Sequence, residues 1–227
     1  MLLCFIYLFK VKMEKDFWHR RWEKNEIGFH EAQPNELLVK HCAQLGLSDD
    51  DRVFLPLCGK TTDIDWLLAQ GYQVVGIELN QSAVEQLFDR LNITPDKTDI
   101  NQDVSCYQSE NLTIFQGDIF ELGRNELGSV DAIYDRAALV ALPDELRTQY
   151  ARHLLTLCPK TPQLLIVFEY DQNQMDGPPF SVSVSDIEKI YQSHYTITQC
   201  QTRQVPGGVR QVPAQETAWL LSPRLNQ

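Results

Sequence analysis

The chain has 227 residues, 43% hydrophobic and 22% charged, which suits one globular domain with a substantial core and no need of a disulfide or metal staple. Its formal net charge is −11, with no Lys/Arg-rich run to offset it locally, which argues against nucleic acid as a partner. The six cysteines form no C-x-x-C pair and the five histidines show no ligand spacing, so neither a disulfide framework nor a metal site is expected, and the setting is expected to be reducing and cytoplasmic.

Residues 1–9, MLLCFIYLF, are nearly all apolar. They are too few to span a bilayer, which takes about 20 residues, and they lack the basic flank and cleavage site of a signal peptide. No membrane association is expected. Met13 is expected to be the natural start, with 1–12 an extension. N-terminal mass spectrometry of the native protein is the check, and a peptide containing Phe5 to Phe9 would overturn the expectation.

From Asp16 to Glu23 the pattern predicts a helix with Trp18 and Trp22 on one face. A second helix begins near Pro34 or Asn35 and ends near Gly46. VFLPL after Arg52 reads as a buried strand, and TDIDWLLAQ as a helix closed by Gly71. YQVVGIEL and QSAVEQLFDRL repeat the strand–helix alternation, which predicts a parallel sheet. The polar stretch 92–110 reads as an exposed loop. A third strand covers Leu112 to Gln116, a fourth lies in VDAIYDR, a helix runs from Pro143 to Cys158, and QLLIVFEYD is a fifth strand. Ser185-Asp186 is placed to cap a helix, DIEKIYQS. Two alternating runs around Gly207-Gly208 then predict an antiparallel pair at the end of the sheet.

In an open parallel sheet, ligands bind beyond the carboxyl ends of the strands at a switch point. Here that end carries Leu57, Cys58, Gly59 and Lys60. Glu78 closes the second strand 19 residues after Gly59, where a carboxylate accepts hydrogen bonds from ribose hydroxyls. G-x-G-x-x-G is absent, and a P-loop would need a glycine where Phe54 stands. A nucleoside cofactor without a pyrophosphate therefore suits the site better than a dinucleotide. Asp118 follows the third strand, where it could meet an adenine edge with Ile119 on the ring face, or simply serve the Gly-Asp turn. Asp135-Arg136 ends the fourth strand; Arg136 could hold an anionic group in the cleft, with Asp135 orienting it or taking a proton, or the two could form a surface pair. Trp18 and Trp22 could roof the cleft and offer indole faces to a cation, or pack as core, and Phe29 could close the acceptor side.

The stretches FWHRRWEKNEIGFHE, RVFLPLCGKTTDIDWLLAQG, VVGIEL, DIFEL, YDRAALVAL and GPPF, in this order and spacing, resemble bacterial thiopurine S-methyltransferases from about Asp16 onward. The resemblance implies a Rossmann-like α/β methyltransferase fold over 13–227, a mostly parallel sheet with helices on both faces. It also implies S-adenosylmethionine as cofactor. It places cofactor contacts on Trp22, Leu57, Glu78 and Arg136, further ones on Trp18 and Ile119, and the acceptor side on Phe29. Asp118 stands where some relatives carry a small polar residue, and Arg210 is the candidate for an acceptor-site arginine near the carboxyl terminus. The expected partner is a small thiol, and the chain is expected to act as a monomer. Selenium or tellurium acceptors, or a nucleoside-binding module without catalysis, are the alternatives; an acceptor panel separates them.

Overall fold

The structure, a computed structural model, describes residues 15–28 and 30–224, so the expected extension 1–12 and Phe29 lie outside the described residues. Nine strands form one sheet: β1 (Arg52–Pro56), β2 (Gln73–Glu78), β3 (Asp96–Asp99), β4 (Val104–Gln108), β5 (Leu112–Gly117), β6 (Ala132–Arg136), β7 (Gln163–Tyr170), β8 (Tyr195–Gln204) and β9 (Ala214–Pro223). Their order is β3-β4-β5-β2-β1-β6-β7-β9-β8. The pairs β5–β2, β2–β1, β1–β6 and β6–β7 are parallel, and the pairs outside them are antiparallel. The fold is therefore the expected Rossmann-like sheet with the expected carboxyl-terminal antiparallel pair. Stretch 92–110 is a correction. It holds the β3–β4 hairpin, whose outer strand, DKTD, is fully exposed and so carries no apolar alternation to betray it.

Successive side chains of a strand point to opposite faces, and both faces here are covered. Val53 and Leu55 pack with Leu37 and Leu38 of α2 (Glu36–His41), Ile64 and Leu67 of α3 (Asp63–Ala69), and Leu87 of α4 (Gln81–Leu91). Phe54 and Ile133 pack on the other face with Leu127 of α5 (Arg124–Leu127), Tyr150 and Leu154 of α6 (Asp144–Leu157), and Ile187 of α7 (Val184–Tyr191). Each such aliphatic or aromatic side chain contributes about 1.5–3 kcal/mol when fully buried. The helix over 15–23, here α1, lies outside both layers, at the carboxyl ends of the strands.

Asn35 caps α2 by accepting from Leu37 N, as the sequence suggests, but α2 is short and continues as a tight 3-10 turn to Leu45 before Gly46. The cap of α7 is Ser183 rather than Ser185. Its side chain accepts from Asp186 N while the Asp186 carboxylate accepts from Ser183 N, a reciprocal box that starts the helix two residues earlier than expected.

Candidate active site

The chain leaves β1 through a sharp turn with φ of +49° at Leu57 and +55° at Gly59. For leucine this conformation costs on the order of 1–2 kcal/mol, and the turn is held in register by Cys58 N donating to Ile77 O at 3.0 Å. The loop packs against β2 at Gly76, where a Cβ would lie 2.8 Å from Cys58 Sγ and 2.9 Å from Ile114 Cδ1. A strand glycine here permits the close approach. The approach brings Gly59 N to Glu78 Oε2 at 2.9 Å, while Asn80 N donates to Oε1 at 2.7 Å. The Glu78 carboxylate is thus fixed from both sides by backbone. Burial nevertheless outweighs these donors and pushes its pKa up to about 7. Each oxygen keeps a further lone pair.

The strand order reverses between β1 and β6, and a cleft of about 380 Å³ opens there, within the range of roughly 300–1,000 Å³ usual for small-molecule sites. Trp18, Trp22, Leu57, Glu78, Arg136 and Arg210 all line it. Trp18, Arg21 and Trp22 come from one face of α1, which is tied down by Lys15 Nζ to Asp118 Oδ2 at 2.6 Å and by Asn80 Nδ2 to His19 Nδ1 at 3.3 Å. Lys60 Nζ sits 5.9 Å from the centre of the Trp22 ring. Arg210 is exposed, on the loop between β8 and β9 that forms part of the rim with Val205 and Val209.

Arg136 ends β6 with its side chain only 6% exposed, ion-paired through Nη2 with Glu31. Burial opposes its charge, but Tyr134, Glu31, Asp63 and Glu216 around it more than compensate. Asp135 departs from expectation. Neighbours on a strand face opposite ways, so the carboxylate of Asp135 points to the α6 side. There it accepts from Tyr150 OH at 2.7 Å and Leu139 N at 3.1 Å, and it does not line the cleft. Burial raises its pKa to about 6. The carboxylate on Arg136 is Glu31 instead. Asp118 and Ile119 also stand outside the cleft lining. Asp118 caps a 3-10 turn by accepting from Phe120 N and pairs with Lys15, and Ile119 is buried with its carbonyl on His153 Nε2.

Sequence reasoning passed over Glu31, His30 and Phe168, all of which line the cleft, whereas Lys60 lines it as the loop after the first strand suggested. Glu31 and His30 sit inside the matched stretch GFHE, which was the available signal. Among the described residues, no helix is long and apolar enough to cross a membrane, and no group of three or more His, Cys, Asp or Glu is placed to hold a metal ion.

The fold is a Rossmann-like α/β methyltransferase fold, shared with solved S-adenosylmethionine-dependent methyltransferases. A 1,6-didemethyltoxoflavin-N1-methyltransferase of Burkholderia thailandensis, solved with 1,6-didemethyltoxoflavin and S-adenosylhomocysteine, superposes with a TM-score of 0.64 at 16% identity, covering 95% of this chain and 90% of that one. Magnesium protoporphyrin IX methyltransferase of Synechocystis, solved with S-adenosylmethionine, gives 0.60 at 15% identity over 92% and 97%. The sequence profile of the thiopurine S-methyltransferase family matches residues 13–218. A thiopurine S-methyltransferase of Xanthobacter autotrophicus is 49% identical over 92% of this chain and 99% of its own length, and one of Teredinibacter turnerae 45% over 94% and 100%. The chain belongs to the thiopurine S-methyltransferase family and is a methyltransferase.

Proposed function

We propose that this chain uses the cleft to transfer the methyl group of S-adenosylmethionine to the sulfur of a small thiol, of the thiopurine or aromatic thiol kind. The observation that carries this is one cleft holding both a backbone-fixed buried carboxylate, Glu78, and a buried guanidinium, Arg136, beneath two indoles. The donor set fits the cofactor: a carboxylate with spare lone pairs for ribose hydroxyls, and a βα turn with no phosphate-cradling glycine series. S-adenosylmethionine, when bound, supplies an electrophilic methyl carbon on a cationic sulfur.

The chain's own part is placement and electrostatics. Glu78 holds the ribose, and the turn at Leu57 to Gly59 presses the backbone towards it. Trp18 and Trp22 exclude water and present ring faces to the cation, a contact worth about 0.5–2 kcal/mol. Arg136 draws in and orients an anionic sulfur. An acidic thiol arrives already ionised, so the protein need not supply a strong base. Arg210 lines the mouth of the cleft, and in this reading it meets the acceptor there.

The test is transfer of labelled methyl from S-adenosylmethionine to 6-mercaptopurine by the purified chain, with an acceptor panel of thiols, selenols and amines beside it. Turnover on thiols is the expected result. Tight cofactor binding with turnover confined to other acceptors would overturn the thiol assignment.

A further inference from the structure

Arg136 and Glu31 form an ion pair inside the cleft, and the two partners are held very differently. Arg136 closes a strand in the middle of the sheet and is almost wholly buried. The backbone of Glu31 is pinned, with Thr62 Oγ1 donating to its carbonyl at 3.2 Å and, four residues on, Asn35 N donating to Asp63 Oδ1 at 2.7 Å. Its side chain, however, is 42% exposed and can turn out to water. Two further carboxylates near Arg136 are committed elsewhere. Asp63 accepts from Tyr134 OH at 2.9 Å as well as from Asn35, and Glu216 accepts from Arg203 Nε at 2.8 Å and Nη2 at 2.6 Å.

We infer that Glu31 is a specificity-determining residue: it is the internal counter-ion of Arg136, which an anionic acceptor must displace to reach the guanidinium. The inference rests on the thiol-acceptor reading above. Glu31 keeps the buried cation neutralised while the cleft is empty. It also handicaps anionic acceptors relative to neutral ones, because each must exchange with a carboxylate already in place. Glu31 contributes no proton step in this role; it acts through Arg136.

The test is Glu31→Gln, titrated by calorimetry with 4-nitrobenzenethiolate and with its uncharged analogue 4-nitrothioanisole. The variant is expected to bind the thiolate roughly tenfold more tightly with the thioether unchanged, since only the anion competed with the carboxylate. Glu31→Ala is expected to show the same selectivity, and the gain is expected to vanish when Arg136→Ala is added. Wild-type binding of the thiolate with equal or weaker binding by Glu31→Gln would overturn the inference alone. So would an equal gain for both ligands. No thiolate binding by either chain would overturn the thiol-acceptor reading and this inference with it. S-adenosylhomocysteine is titrated in parallel, and a gain confined to its carboxylate would move the exchange to the cofactor and overturn the acceptor assignment.

Discussion

Glu78→Gln is expected to weaken S-adenosylhomocysteine binding about a hundredfold. In the native chain one carboxylate oxygen takes Gly59 N and the other Asn80 N, leaving a lone pair on each for the ribose. Glutamine has one acceptor oxygen, so one of those N–H groups faces an amide NH₂ and half the ribose contact is lost. Hydrogen bonds to a charged group are worth about 1.5–3 kcal/mol each, so losing one ribose contact while the other becomes an ordinary neutral bond accounts for about a hundredfold; the stranded backbone N–H costs stability in the free and bound chain alike. Calorimetric affinities within about threefold of wild type would remove Glu78 from the cofactor site. The pH dependence has a definite sign. The carboxyl of Glu78 is raised by burial from 4.5 to about 7, so between those values the folded chain holds a proton that the unfolded chain has released. That contribution to stability, on the order of 3 kcal/mol, is complete below pH 4.5 and is lost as pH rises to about 7. Asp135 adds a loss of the same sign between 3.8 and about 6. Affinity for the ribose runs the other way, because only the ionised carboxylate accepts both hydroxyls. Thermal melts of the ligand-free chain should therefore fall from pH 5 to 8 while cofactor affinity rises; parallel trends would contradict the buried-acid account.

Arg136→Ala is expected to lower kcat/KM for 6-mercaptopurine by about 10²–10³, the usual cost of removing one preorganised donor from a developing or bound anion. Arg136→Lys should lose less, because an ammonium keeps the charge but not the planar fork. The half-exposed Glu31 left behind by alanine can reach water, so the variant should fold. Initial rates for the pair decide the matter, and near-wild-type rates in both would dismiss Arg136 from the reaction.

The parallel core was legible because β1, β2, β6 and β7 are apolar runs covered on both faces, and the helices between them keep their own period. The β3–β4 hairpin was not, since an exposed outer strand such as DKTD has no buried face to write a pattern. At the site, Trp18, Trp22, Leu57, Glu78, Arg136 and Arg210 could be found because they sit at strand ends, on one helix face, or in matched motifs. Asp135 was misplaced although strand alternation alone separates it from Arg136. Glu31 carried no local signal of its charge partner, which lies 105 residues away in sequence. Asp118 and Ile119 sit at the end of β5, two strands away from β1 across β2, and strand position by itself does not distinguish the lining of a cleft from its flank.

The pairing of β1 with β6 joins Val53 to Ala132 across 79 positions, and the cleft opens at the carboxyl ends of these two strands. Closing so long a loop carries an entropic cost that local hairpins such as β8–β9 avoid, which delays such contacts during folding. A chain emerging from the ribosome can assemble the β1–β2 half with Leu57 and Glu78 in place, yet it has no second wall until β6 has been made and docked. Cofactor binding is thus a report on completed folding, and the ligand stabilises only chains that have already joined their two halves.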